Sequence, residues 1–141
     1  MGLENWIFPG ELLDENKVTE VERSFGFKYP SDYKYCIMKN NGGFPEPDIF
    51  DCDDGRTEAV FNNLISFTDE TINITMFYEF SSLKLIPFAR DPFGNLLCFD
   101  YSEDDESPKV VFYNCEETGS TLITPVCESF TVLLDRLYSL K

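Results

Sequence analysis

Apolar positions recur along this chain at two spacings, and the change from one to the other marks out its elements. Over positions 14–25, Val18, Val21 and Phe25 fall on one helical face, while Glu15, Glu22 and Arg23 sit largely off it. That pattern predicts an amphipathic helix. Gly26 suits its C-terminal end, because glycine adopts the left-handed conformation at little cost. Pro30 then leads into a second helix with Ser31 as the expected N-cap. Tyr33, Cys36 and Ile37 form its buried stripe, and Asn40-Asn41-Gly42-Gly43 ends it. A closing helix is predicted over 128–140, where Phe130, Leu133, Leu134, Leu137 and Tyr138 make a single stripe. Positions 6–13 read as a short apolar lead-in broken by Pro9-Gly10.

Between the helices the pattern is that of strands. Positions 83–90 and 96–102 flank Asp91-Pro92-Phe93-Gly94-Asn95, a loop of hairpin length. A strand over 109–115 follows the acidic loop 103–108, and 121–126 adds a last one. An earlier strand is expected over 59–67, with Val60, Leu64 and Ile65 apolar. Positions 44–57, with Pro45, Pro47 and several acids, read as irregular. Positions 69–80 stay open: Ile72, Met76 and Phe80 fit helical spacing, whereas the β-branched residues favour a strand. Consecutive strands with short links argue for an antiparallel sheet. Helices gathered at both ends argue for packing on one face of it. The expectation is an α+β fold and one domain over residues 1–141.

Composition narrows the classes of function. The chain has 141 residues, enough to bury a core without disulfides or metals, and 16% of them are aromatic. Asp and Glu number 26 against 11 Lys and Arg, for a net charge of −15. Such a chain repels nucleic acid and anionic membranes, and is drawn to basic partners. Cys36, Cys52, Cys98, Cys115 and Cys127 are odd in number and widely spaced. That pattern points to free thiols in a reducing cytosol, with Cys98 and Cys115 read as small hydrophobes within apolar runs. The N-terminal residues lack a basic region and a long apolar stretch, so neither a signal peptide nor a membrane span is expected.

Chemistry is limited as well. The chain has no histidine, which removes Ser-His-Asp and Cys-His mechanisms and histidine-bound zinc. Cysteine spacing does not suit a metal site. Cys127, near the start of the closing helix, is the one candidate nucleophile, against a plain packing role. With Gly55 as the loop glycine, an EF-hand would put Phe50, Cys52 and Phe61 at ligand positions, so that pattern fails. No phosphate-binding glycine loop is present. The expectation is a protein without catalytic residues, cofactor or metal. Asp51, Asp53 and Asp54 form one acidic run and Glu103, Asp104, Asp105 and Glu106 a second. Together with Phe44 and Phe93 as aromatic anchors, these are the candidate partner-binding residues.

Four strings in order add a family resemblance. They are Tyr29-Pro30 with Tyr33; Asn41-Gly42-Gly43; Ile86-Pro87-Phe88-Ala89, Asp91, Gly94-Asn95 and Phe99-Asp100; and Ser129-Phe130. They resemble the LP-x-x-Y, NGG, I-P-F-A-x-D…G-N…F-D and S-F strings of the SUKH superfamily, the Smi/Knr-type domain, with Tyr29 standing where that family has Leu. The strings serve mainly as fold markers: Pro30 starts a helix, Gly42 and Gly43 end one, Gly94 and Asn95 turn a hairpin, and Phe130 anchors the last helix. Asp100 is weighed between satisfying backbone amides and meeting a partner's basic group.

The resemblance implies a curved, mainly antiparallel sheet flanked by helices. It also implies a non-enzymatic bacterial immunity protein, cytoplasmic, a monomer or homodimer, that neutralises a cognate toxin by binding it. Such a toxin is often a nuclease. The alternatives are a regulatory protein-interaction module unrelated to toxins and a binder of peptides or modified proteins.

Overall fold

The computed structural model describes residues 2–140; Met1 and Lys141, the two ends of the expected domain, lie outside the described residues. Helix α1 spans Glu15–Phe25 and buries Val18, Val21 and Phe25, with Asp14 accepting a hydrogen bond from the Lys17 N–H at its start and Gly26 left-handed at its end. Helix α2 spans Ser31–Lys39. The expected cap is corrected here: Pro30 holds the N-cap position without a side-chain hydrogen bond, and Ser31 is the first helical residue. Cys36, expected in the buried stripe, is only half-buried.

Five strands form the main sheet: β5 (Asn63–Leu64), β6 (Leu85–Arg90), β7 (Leu96–Asp100), β8 (Lys109–Tyr113) and β9 (Ile123–Cys127), paired in chain order. Two small sheets flank it, β1 (Asn5–Ile7) with β2 (Phe44–Glu46) and β3 (Ile49–Phe50) with β4 (Ala59–Val60). Every strand pair among the described residues is antiparallel. The lead-in and the irregular stretch of the sequence reading therefore include strands that pair with each other or with later chain. The strand expected over 59–67 breaks at Phe61 and Asn62. Its first part pairs with β3 and its second with β6, because the Phe61 N–H goes to the Asp48 carbonyl and the Asn62 N–H to the Arg90 carbonyl.

Pro87 lies inside β6, where a proline would ordinarily cost a ladder bond. The register shifts between Pro87 and Ala89, so a bulge accommodates it. Asp91 and Asn95 clamp the following hairpin. Asp91 Oδ1 accepts from the Phe93 and Asn95 N–H groups at 2.9 and 2.8 Å, and the Asn95 amide donates to Oδ2 at 3.0 Å.

Side-chain parity along β7 and β8 divides the sheet into two covered faces. On one, Phe88 and Phe99 stack at 4.3 Å and meet Tyr33 of α2 and Phe130 of the last helix edge-on. On the other, Tyr113 meets Phe80, which belongs to a 3-10 helix over Ile74–Leu83. Not all helical structure lies on one face, as the sequence had suggested. The open stretch 69–80 resolves into that 3-10 helix. Its threefold period buries Ile74 and half-buries Phe77 and Phe80, leaving Ile72 and Met76 exposed.

The closing helix, α3, is shorter than expected, Phe130–Arg136. Leu137 turns extended, and Tyr138 exchanges backbone hydrogen bonds with Ile49. Two side chains cap its start: Ser129 accepts from the Val132 N–H, and Asp32 of α2 accepts from the Thr131 N–H at 3.0 Å and its hydroxyl at 2.7 Å.

Asn41 fixes the segment after α2. Only 1% exposed, it accepts from the Phe67 N–H at 2.7 Å and donates to the Thr68 hydroxyl at 2.8 Å. Next to it, Gly42 has φ of 74°, and a Cβ there would stand 3.2 Å from Ser66 Cβ. Asn41→Ala leaves the Phe67 N–H buried without an acceptor, a cost of about 1–3 kcal/mol. Urea unfolding is expected to show a loss of that size with the m-value unchanged.

Candidate protein-binding surface

Pairing of β7 with β8 sets Asp100 opposite Lys109, and pairing of β8 with β9 brings Cys127, and so Glu128, alongside Val110. The acidic loop after β7 rises at this end of the sheet. The loop after β3 reaches it from the side, held by the Asp53 N–H on the Val126 carbonyl at 2.9 Å. The result is two adjoining hollows of about 430 and 340 Å³ that share Asp100, Glu103, Lys109 and Glu128, with Asp104 on one and Asp53 on the other. Carboxylates from separate parts of the chain thus line one surface. Lys109, the only cation lining it among the described residues, lies 3.4 Å from Glu103. The charge lining this groove is mostly negative, which favours a basic group over an anion, and Val110, Val111, Ile123 and Pro125 add apolar surface to the second hollow.

The remaining sequence candidates are distributed elsewhere. Asp51 is turned toward the C-terminal segment: the Tyr138 hydroxyl donates to it at 2.7 Å and the Glu58 N–H at 3.1 Å, and these bonds hold its carboxyl below the usual range. Asp54 accepts from the Arg56 N–H within its own turn. Asp53 shares its charge with Arg136 at 2.8 Å. Asp105 and Glu106 face away from the groove, onto a hollow of about 760 Å³ that also holds Glu22, Arg23 and Lys28. Asp100 has two aspects: one oxygen accepts from the Ser102 N–H at 2.9 Å, and the side chain lines the groove.

The two aromatic anchors are not beside these acids. Phe93 is 83% exposed at the tip of the β6–β7 hairpin, the end of those strands opposite Asp100. Phe44 lies on β2, against Phe8. Glu128 was absent from the candidates. It stands alone in the sequence, and only the β8–β9 register joins it to the acidic loop.

Cys127 does not have the environment of a nucleophile. It is buried, its thiol donates to the Ser129 carbonyl, and burial pushes its pKa up to about 11. Burial likewise raises Cys36 to about 12 and Cys52 to about 11. Cys115, read from sequence as a small hydrophobe within a strand, is exposed past the end of β8. At pH 7.4 iodoacetamide is therefore expected to label Cys115 first, with Cys52, Cys98 and Cys127 labelled only on unfolding; mass spectrometry of the digested protein reads the order. Among the described residues, no group of three or more His, Cys, Asp or Glu side chains is placed to hold a metal ion, and no helix is long and apolar enough to cross a membrane.

The family model described as SMI1 / KNR4 family (SUKH-1) matches residues 12–136. The chain belongs to that family. The match takes in both acidic runs, the bulged strand β6 and all of α3, and leaves β1 outside it. SUKH proteins are generally immunity proteins of toxin systems or regulatory proteins, and act without catalysis. No curated protein matches the chain.

Proposed function

We infer that this SUKH protein is an immunity protein whose acidic groove binds the basic surface of a cognate toxin, and that the toxin is a nuclease domain. The observation carrying this reading is the convergence of Asp53, Asp100, Glu103, Asp104 and Glu128 on one hollow surface, offset there by Lys109 and, at Asp53, by Arg136. A nuclease grips phosphates with basic side chains. An acidic partner is steered to that surface and covers it, so inhibition comes from occupation and needs no chemistry. A net charge of −15 extends the attraction beyond the groove itself. The reading includes a cytoplasmic location, a protein partner and no cofactor, with no direct contact to nucleic acid.

Growth rescue tests it. The toxin domain encoded beside this gene is expressed in a sensitive host with and without the protein. Rescue, with a complex that weakens as salt rises, is the expected result. A folded toxin that neither binds nor is neutralised would remove the immunity reading for that toxin and favour a regulatory binding module.

A further inference from the structure

A further hollow lies at the other edge of the sheet. It measures about 410 Å³ and is bounded by Phe8, Phe44, Ile72, Asn63, Asp69 and Arg90. Asn63 lies on β5 and Arg90 at the end of β6, whereas the acidic groove lies toward β9, so the two surfaces occupy opposite edges.

Arg90 is the charged group to explain. Its Nε is buried without a hydrogen-bond partner, and among the described residues its guanidinium makes no ion pair. Arg136 by contrast is bound to Asp53 and to the Val126 carbonyl, and Arg56 lies over the Phe112 ring. A carboxylate is the acceptor whose geometry best fits a guanidinium. Asp69 lines the same hollow, and its pKa is lowered by the Ile72 and Thr71 N–H groups and in part by the Arg90 charge, but it makes no ion pair with Arg90. Its Oδ2 accepts from the Thr71 and Ile72 N–H groups at 2.9 and 3.0 Å, which ties it into its own turn.

Around Arg90 the rim is mixed, with Phe8, Phe44 and Ile72 beside Asn63, Ser66, Asp69 and Thr71. Phe8 is 79% exposed, and its ring meets Phe44 edge-on at 6.3 Å. Phe8 also has φ of 52°, a conformation that a bulky residue rarely adopts. Local strain that holds an aromatic ring out in water is typical of sites where a partner comes to rest. Exposed aromatic side chains around an unpaired arginine have the composition of an interface centre.

We propose that this hollow receives an Asp or Glu side chain of a partner protein, flanked there by apolar side chains, with the carboxylate on Arg90 and the apolar neighbours on Phe8, Phe44 and Ile72. Binding gives the guanidinium the ion pair it lacks and covers the exposed rings. The site does not depend on the toxin reading, since any partner presenting that segment would use it.

Capped tripeptides test the site directly on the whole protein. Acetyl-Leu-Glu-Leu-amide is titrated while the Arg90 side-chain Nε–H resonance is followed by NMR. A saturable shift is expected, with binding about tenfold tighter than for acetyl-Leu-Gln-Leu-amide. In Arg90→Gln, shown to be folded by circular dichroism, that difference between the peptides should vanish. No shift at Arg90, equal binding of the two peptides, or a preference for acetyl-Leu-Lys-Leu-amide drawn by Asp69 would each overturn the proposal. None of these outcomes bears on growth rescue, so the two readings fail separately.

Discussion

Phe99→Ala is expected to lower the stability of the fold by about 3–5 kcal/mol, the range for emptying a buried aromatic site. Phe99 is fully buried and central: its ring stacks on Phe88 at 4.3 Å and meets Tyr33, Phe130 and Tyr29 at 5.1, 6.2 and 6.4 Å. Those partners come from β6, α2, α3 and the turn before α2, so one truncation loosens every layer on that face. Ring pairs add about 0.5–1.5 kcal/mol each beyond burial, which places the loss toward the upper end. Against a total of about 5–15 kcal/mol, much of the stability goes. Urea unfolding followed by tyrosine and tryptophan fluorescence measures it. A loss below about 1 kcal/mol, the ordinary effect of a point change, would mean the ring cluster is not the centre of the fold.

That cluster explains why much of the architecture was readable beforehand. Tyr33, Phe88, Phe99 and Phe130 all belong to the strings that resemble the SUKH pattern, and in space they are one contact group. The first two helices and the β6–β7 hairpin depend on local signals: the stripe of Val18, Val21 and Phe25, Gly26 at a helix end, and the Asp91-to-Asn95 turn. Elements set by distant partners were not readable in the same way. Phe61 divides its segment because Asp48 and Arg90 each take a neighbouring N–H. Tyr138 keeps helical spacing in sequence, yet leaves the helix to pair with Ile49 and to bond Asp51. The 3-10 segment misled for a different reason: a period of 3 turns Phe77 inward and half-buries it, whereas a period of 3.6 selects Met76.

The binding surface divides along the same line. Acid runs are visible in any sequence, but which acids are free to face a partner depends on local hydrogen bonds. Asp51 is drawn to Tyr138 and Asp54 into its own turn, while Asp100 and Glu128, one in a strand and one before a cap, are brought to the groove by strand register. Phe44 was picked as an aromatic anchor for the acids, and its surroundings are instead Phe8 and Arg90. The arginine had no signal of its own, since a lone cation at a strand end is ordinary until its partners are counted.

Neutralising the groove is the functional test with the largest expected effect. The variant replaces Asp100 and Asp104 with Asn, and Glu103 and Glu128 with Gln. It should associate with the neighbouring toxin about tenfold to hundredfold more slowly at low salt, because charge lining a cleft acts chiefly on the rate of encounter. Its rate should also depend less on salt, and the gap from the parent protein should narrow as the screening length shrinks to about 8 Å at physiological ionic strength. Folding should be unaffected. Asn keeps the oxygen that accepts from Ser102 at position 100 and from Glu106 and Ser107 at position 104, and the Glu103 to Lys109 pair is exposed. The decisive comparison is a second variant with Glu4, Glu11, Glu70 and Glu79 changed to Gln. All four are exposed and none lines the groove, yet both variants have the same net charge. Stopped-flow association at several salt concentrations separates them. A slowing confined to the groove variant assigns recognition to that surface. Equal slowing in both would assign it to the overall charge, and the groove would then be only a solvated corner of an acidic protein.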